Sequence, residues 1–226
     1  MQIRAVAFDA YGTLFDTNSA VLEASLSIGL QGQAFSNLWR QRQLEFTWLW
    51  SLMGKYEDFW SLTRAALDSV LQELGVERDG PKLERLMQAY WEPQVFPDVM
   101  AALDALPRLP LMILSNGSPE MLQSAVRYNH LESRFAQIIS ADRVKIYKPS
   151  PQVYALATDS VGFSSEDILF VSSNWWDAWG AKAFGYTVCC CNRSDRQMGF
   201  SRSAPDFVVA RLDHIADSIA VRTLFT

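Results

Sequence analysis

Asp9 closes an apolar run, Ile3-Arg4-Ala5-Val6-Ala7-Phe8, and is followed at once by Ala10-Tyr11-Gly12-Thr13. Such a run reads as a buried parallel strand, and open α/β sheets hold their ligands at the C-terminal ends of such strands. A carboxylate there is presented to a crevice, with Gly12 behind it to turn the chain. Asp9 can act as a covalent nucleophile, and Thr13 can orient it, since a hydroxyl both donates and accepts a hydrogen bond. Lys148, in Tyr147-Lys148-Pro149, is a compact cation suited to pairing with that carboxylate. The residue two places beyond Asp9 is Tyr11, not a second acid. The site therefore has a nucleophile but lacks the neighbouring proton donor that phosphate transfer would use.

The elements that must position these groups are legible as further short apolar runs: Leu109 to Leu114, Gln137 to Ser140, Ile168 to Val171, Thr187 to Cys191 and Phe207 to Val209. Helical-period segments separate most of them, among them Pro119 to Asn129, Pro151 to Val161 and Ala178 to Phe184. Strands alternating with helices predict an α/β fold, a Rossmann-like parallel sheet covered on both faces. Polar groups follow several of the runs: Asp9, then Ser115-Asn116-Gly117, then Ser172-Ser173-Asn174. Several strands delivering such groups at one end assemble a single crevice.

From about Phe15 to Tyr90 there is no convincing strand. The stretch is helical in period and carries Trp39, Trp48, Trp50 and Trp60, with Arg40 and Arg42 among them; Gly75 and Asp79-Gly80-Pro81 punctuate it. Pro93 and Pro97 bracket the return to the core. We read a helical cap domain, residues 15–97, inserted after the first strand of a core formed by 1–14 and 98–226. Most of its aromatic stripe is expected to be the interior of a helix bundle.

The chain has 226 residues, is 49% hydrophobic and 20% charged, and carries a formal charge of -5, enough apolar material for one large domain or a core plus a smaller insert. With no basic run or stripe, nucleic acid is not expected as a partner. No stretch approaches the roughly 20 apolar residues of a membrane span, and a strand beginning at residue 3 leaves no room for a signal peptide. The three cysteines, Cys189, Cys190 and Cys191, are consecutive, without the spacing of a structural zinc site. They read as small buried strand residues in a reducing cytoplasm. His130 and His214 flank no obvious acid or nucleophile and are expected to be structural or exposed.

Four separated segments then align with a known pattern. Asp9-Ala10-Tyr11-Gly12-Thr13-Leu14-Phe15, Leu114-Ser115-Asn116-Gly117, Tyr147-Lys148-Pro149 and Ser172-Ser173-Asn174-Trp175-Trp176-Asp177 resemble the haloacid dehalogenase (HAD-like) superfamily, and within it the L-2-haloacid dehalogenases. Leu38-Trp39-Arg40-Gln41-Arg42-Gln43-Leu44-Glu45 is similar to that subfamily too. The resemblance covers nearly the whole chain, in order.

It implies hydrolysis of small 2-haloacids without a metal or other cofactor. Asp9 would displace halide and form an ester. Water positioned by Ser172, Asn174 and Asp177, with Lys148 nearby, would then attack the ester carbonyl. Ser115 and the backbone amides near Tyr11 would hold the substrate carboxylate, although Ser115-Asn116 alone also reads as a turn after a strand. Arg40, Asn116 and Phe59 would cradle the halide, with Arg42 the competing arginine. Tyr11, Leu44, Phe59 and Trp176 are the expected walls, helped by the Tyr154 hydroxyl. The pairs Trp175-Trp176 and Phe59-Trp60 hint at a small pocket, one that could even admit fluoroacetate. Related phosphatases carry further acids where this chain has Tyr11 and Ser173-Asn174, which leaves a poor magnesium cage. The alternatives are a magnesium-dependent small-molecule phosphatase of the same superfamily and a catalytically silent small-anion or partner-binding protein. A homodimer is left open as the assembly.

Overall fold

The computed structural model describes residues 2–27, 30, 32–77, 79–106, 109–195 and 203–217. In it the apolar runs become β1 (Ala5–Phe8), β2 (Leu111–Ser115), β3 (Gln137–Ser140), β4 (Ile168–Ser172), β5 (Thr187–Cys191) and β6 (Phe207–Val209). They pair in the order β3-β2-β1-β4-β5-β6, every pair parallel. The order reverses beside β1, and this switch point opens the crevice that receives a ligand. Every residue of β1, β2, β4 and β5 is buried, which is why these strands read as continuous apolar runs rather than alternating ones. Cys189, Cys190 and Cys191 are buried in β5.

Four helices lie between β1 and the return to the sheet: α1 (Thr17–Ser27), α2 (Gly32–Leu52), α3 (Phe59–Glu73) and α4 (Gly80–Trp91). Helix α2 packs on α1 and α3, and α1 packs on α4, around Phe35, Trp39, Leu67, Val70, Leu86 and Tyr90. The chain leaves and re-enters the sheet at one place. Phe15 bridges to Val95, Asp16 N–H donates to the Gln94 carbonyl at 2.8 Å, and Phe96 N–H to the Leu14 carbonyl at 3.0 Å. The remaining helices, α5 (Val99–Ala105), α6 (Pro119–Tyr128), α7 (Pro151–Val161) and α8 (Trp175–Phe184), connect the strands.

Of the boundaries that differ from the sequence reading, two have a direct physical reason. β2 begins at Leu111, not Leu109, because Pro110 has no amide for the ladder and contributes only its carbonyl, which accepts from Val6 N–H at 3.0 Å. Helix α8 begins at Trp175, not Ala178, since Asn174 already stands at its N-cap. Asp177 thereby falls in the first turn of a helix, facing inward, instead of in a loop. Among the described residues, no helix is long and apolar enough to cross a membrane.

Candidate active site

Asp9 lies one residue past β1 and is 6% exposed. Its two oxygens are treated differently. Oδ2 accepts from Asn174 Nδ2 at 2.8 Å and Thr13 Oγ1 at 2.9 Å, with Ser172 Oγ at 3.5 Å; among the described residues Oδ1 accepts only from Lys148 Nζ, at 3.2 Å. The Thr13 hydroxyl has no freedom to turn away, because its oxygen accepts the Ser173 N–H at 2.9 Å. Gly12, at φ +85, makes the left-handed turn that brings Thr13 back over Asp9.

Lys148 is completely buried between two carboxylates, Asp9 and Asp177, the latter at 2.9 Å, with the face of Phe170 4.9 Å away. Burial alone would drag its ammonium pKa down; the charges of Asp177 and Asp9 outweigh that and hold it above the ordinary lysine value. Asp177 has no exposed surface, and its oxygens are both engaged, Oδ2 by Lys148 and Oδ1 by the Tyr154 hydroxyl at 2.7 Å. Desolvation pushes the Asp177 carboxyl up to about 6, against the pull of Lys148 and the Tyr154 hydrogen bond and helped by the charge of Asp9.

Above Asp9 is a small, partly open cavity lined by Asp9, Tyr11, Arg40, Leu44, Phe59, Ser115, Asn116 and Trp176. Core loops and helices α2 and α3 thus contribute to one space. Asn116 is fixed in direction: its Oδ1 accepts the Lys148 backbone N–H at 2.9 Å, which turns its unpartnered Nδ2 donor to the cavity side. The Ser115 oxygen accepts the Gly117 N–H at 3.1 Å, so the Ser115 proton remains available. The Tyr11 ring stacks on Phe59 at 6.2 Å, and its buried hydroxyl has no partner. Desolvation, reinforced by Tyr90 and opposed by Arg40, raises the Tyr11 pKa, so its hydroxyl stays a donor. Gly117 permits this arrangement, since a Cβ there would meet Tyr11 Cε2 at 2.6 Å. The Ser115 hydroxyl, the Asn116 amide and the Arg40 guanidinium thus share one space with the Asp9 carboxylate and the apolar Leu44, Phe59 and Trp176, an arrangement suited to a small anion.

The two cap arginines separate cleanly. Arg40 lines the cavity, whereas Arg42 turns outward to Glu73 at 2.8 Å, Glu45 at 3.2 Å and the Ser69 hydroxyl at 2.8 Å. Leu44 and Phe59 line the cavity together with Trp176. Trp60 and Trp175 do not; they pack edge-on against Trp91 and Trp179. Thr13, Lys148, Ser172 and Asn174 stand behind Asp9 and grip it.

One placement corrects the sequence reading. Tyr154 is no part of the cavity wall: it is buried behind Lys148 with its hydroxyl spent on Asp177. Asp177, which the sequence suggests as a partner of Lys148 or of a water, lies off the cavity and meets Lys148. His130 and His214 are both exposed.

The sequence reading missed four residues around the site. Gln43 accepts from Arg40 at 2.6 Å and Thr63 accepts from Gln43 at 2.6 Å. Tyr90 hydrogen-bonds Arg40. Arg193 donates to the Thr13 carbonyl at 3.1 Å and pairs with Asp98. The available signals were the i,i+3 spacing of Gln43 after Arg40 and the position of Arg193 just beyond β5.

Residues 3–185 match the family of haloacid dehalogenase-like hydrolases. The chain is 45% identical over 201 residues to (S)-2-haloacid dehalogenase 1 of Pseudomonas sp. (strain CBS-3), covering 88% of each chain. It is 42% identical over 222 residues to haloacetate dehalogenase H-2 of Moraxella sp. (strain B), covering 97% of this chain and 99% of that one. In three dimensions it superposes on the L-2-haloacid dehalogenase from Xanthobacter autotrophicus with chloropropionic acid covalently bound. The TM-score is 0.90 at 37% identity, over 97% of this chain and 99% of that one. Similarity of this extent, carried through core and helical segment alike, places the chain in the haloacid dehalogenase-like hydrolase family.

Proposed function

We propose that the chain hydrolyses small 2-haloalkanoic acids, haloacetate and L-2-halopropionate, to 2-hydroxy acids through an ester on Asp9. The single observation that carries the reading is the asymmetry of the Asp9 carboxylate. Oδ2 is held by Thr13 and Asn174, while Oδ1, among the described residues, takes only the Lys148 ammonium, in a residue that lines the cavity. Oδ1 attacks the carbon bearing the halogen, that bond breaks with its electron pair on the halide, and configuration inverts. Water then adds to the Asp9 ester carbonyl, the hydroxy acid leaves, and the carboxylate is restored. One difficult displacement becomes two easier steps.

The rest of the site supports these steps. The Ser115 hydroxyl and nearby amides hold the substrate carboxylate, while Arg40, the free Asn116 Nδ2 and the Phe59 ring receive the halide where its charge develops. We assign the positioning of the second-step water to Ser172 and Asn174, which both contact Asp9 Oδ2, and Asp177 acts through Lys148. The apolar walls Tyr11, Leu44 and Trp176 limit the substrate to a few carbons. The cation beside the nucleophile is the Lys148 ammonium, and the chain has Tyr11 and Ser173-Asn174 where a magnesium cage would need acids. We therefore read the chemistry as metal-independent.

In this reading residues 15–97 are a cap that brings Arg40, Leu44 and Phe59 over the core of 1–14 and 98–226. Three consecutive buried cysteines fit a reducing cytoplasm. A homodimer belongs to the same proposal, with the exposed Leu49, Leu52 and Met53 at the end of α2 as the apolar surface a second copy would cover; sedimentation at the mass of one chain would reject it.

The deciding experiment measures halide release from chloroacetate with chelator present and a phosphate ester as control. Chloride without phosphate is the expected outcome; phosphate release that needs added magnesium would select a phosphatase instead, and neither product a binding protein. Single turnover in heavy-oxygen water should place the label in Asp9 before it appears in product.

A further inference from the structure

We propose that Gln43 is a positioning residue that aims Arg40 at the departing halide and so sets how poor a leaving group the enzyme can release. This rests on the reading of Arg40 given above. Gln43 and Thr63 are polar, yet neither has any exposed surface. They form one chain of short hydrogen bonds: Arg40 donates to Gln43 Oε1 at 2.6 Å, Gln43 Nε2 to Thr63 Oγ1 at 2.6 Å, and the Thr63 hydroxyl to the Phe59 carbonyl at 2.6 Å. The directions are forced. A backbone carbonyl only accepts, so the Thr63 hydroxyl must donate to Phe59 and accept from Gln43. The amide of Gln43 must then present its nitrogen to Thr63 and its oxygen to Arg40. The carbonyl of Thr63 is itself anchored by Trp39 Nε1 at 2.9 Å. Two cavity-lining groups from different helices, Arg40 of α2 and Phe59 of α3, are thereby tied together behind the cavity.

The anchor is neutral, and that is its point. Arg42, two residues away, is paired with Glu45 and Glu73. Among the described residues, no carboxylate forms a salt bridge with Arg40, which is held by the Gln43 amide and the Tyr90 hydroxyl. An amide fixes the guanidinium without neutralising it, so its charge remains for an anion in the cavity. A carboxylate in the same place would fix it equally well and cancel that charge.

Two variants separate positioning from packing. Gln43→Glu conserves shape and adds the charge; Gln43→Met conserves volume and removes the anchor. Halide release in single turnover is compared on bromoacetate, chloroacetate and fluoroacetate, with bromide inhibition as a reading of halide affinity and melting as a check on folding. Stabilisation of the halide matters most for the poorest leaving group. Misaiming one such donor is therefore expected to slow chloroacetate about tenfold in Gln43→Met and more in Gln43→Glu, with bromoacetate within about twofold. Fluoroacetate, if turned over by the parent, should be hit hardest, and bromide inhibition should weaken several-fold. Equal losses on all substrates with unchanged bromide inhibition would overturn the inference. A parental protein that releases no halide from any substrate brings down the activity reading and this inference together; parental turnover with uniform losses in the variants removes only the role of Gln43.

Discussion

Tyr154 donates its hydroxyl to Asp177 Oδ1 at 2.7 Å, on the oxygen opposite the one that takes the Lys148 ammonium at 2.9 Å. Asp9 thus heads a line of four buried groups, Asp9–Lys148–Asp177–Tyr154. The hydrogen bond from Tyr154 favours the charged carboxylate, so it lowers a pKa that burial has raised to about 6. Without it the pKa rises further, and a proton reaches Asp177 at higher pH. In Tyr154→Phe the acid limb of kcat/KM for haloacid hydrolysis should move up by about 0.5–1 pH unit, with activity at pH 9 closer to the parent's. Leaving Asp177 Oδ1 buried without that donor should also cost about 1–3 kcal/mol in urea unfolding. An unmoved acid limb would detach Asp177 from the ionisation that governs activity.

The same contact can be disturbed from the far side. A methyl group at position 180 would meet Tyr154 Oη at 2.5 Å and Pro149 Cβ at 2.6 Å, so Gly180→Ala must push Tyr154 off Asp177. Its pH profile should shift in the same direction as that of Tyr154→Phe. Crowding both Tyr154 and the Lys148-Pro149 loop, it should also lower stability by about 1–3 kcal/mol.

The sheet and the polar ends of its strands were legible because a parallel sheet buried on both faces has a simple signature, apolar runs ending in Asp9, Ser115 and Ser172. Distance along the chain did not hide Lys148, since its neighbours Tyr147 and Pro149 form a recognisable segment. What stayed dark was direction. Tyr154 and Trp176 both carry an apolar body and a polar tip, yet one lies under Lys148 and the other in the cavity. Tyr154 packs from α7 onto Asp177 and Gly180 of α8, a contact that no spacing rule reports. Gln43 was hidden for a different reason. A glutamine on a helix ordinarily faces water, and only the α2–α3 packing that brings Thr63 against it makes it a buried partner.

The contrast between Arg40 and Arg42 gives a second prediction. Arg40→Lys keeps a charge but loses the planar fork held by Gln43 and Tyr90, and should cost on the order of 100-fold in kcat/KM for chloroacetate. Arg42→Lys changes a half-exposed network with Glu45 and Glu73 and should leave kcat/KM within about twofold, with stability changed by about 0–1 kcal/mol. Steady-state chloride release from both variants checks this, and equal losses would remove Arg40 from the halide's path.

Arg193 ties the loop carrying Thr13 to the opposite end of the chain. It pairs with Asp98, which is 3% exposed and also accepts the Leu212 N–H at 2.8 Å, and it donates to the Thr13 carbonyl at 3.1 Å over the Phe96 ring. Arg193→Met strands a buried carboxylate and should cost about 3–5 kcal/mol in urea unfolding. Adding Asp98→Asn to it removes the stranded charge and should recover part of that loss. Because Thr13 grips Asp9, both variants should also lower kcat more than they raise KM.

The turn between α2 and α3 is clasped to the loop that carries Lys148. Tyr56 donates to Asp142 Oδ1 at 2.6 Å, its ring stacks on Tyr147 at 5.4 Å, and the Tyr147 hydroxyl donates to the Glu57 carbonyl. Hydrogen bonds from Lys145 and then Tyr56 hold the Asp142 carboxyl below its usual range. A carboxyl with a depressed pKa in the folded state contributes stability above its unfolded pKa and loses it as pH falls through the folded value. Tyr56→Phe removes one of the two donors responsible. At pH 7 it should lower stability by on the order of 1 kcal/mol, since the pair is only partly shielded from water. Once Asp142 is protonated in the folded state, at a pH below the ordinary carboxylate range, that charge-dependent difference should vanish. Urea midpoints measured from pH 7 downward therefore converge for parent and variant; a gap of constant size would mean that Tyr56 acts through its ring stacking on Tyr147 and not through the carboxylate.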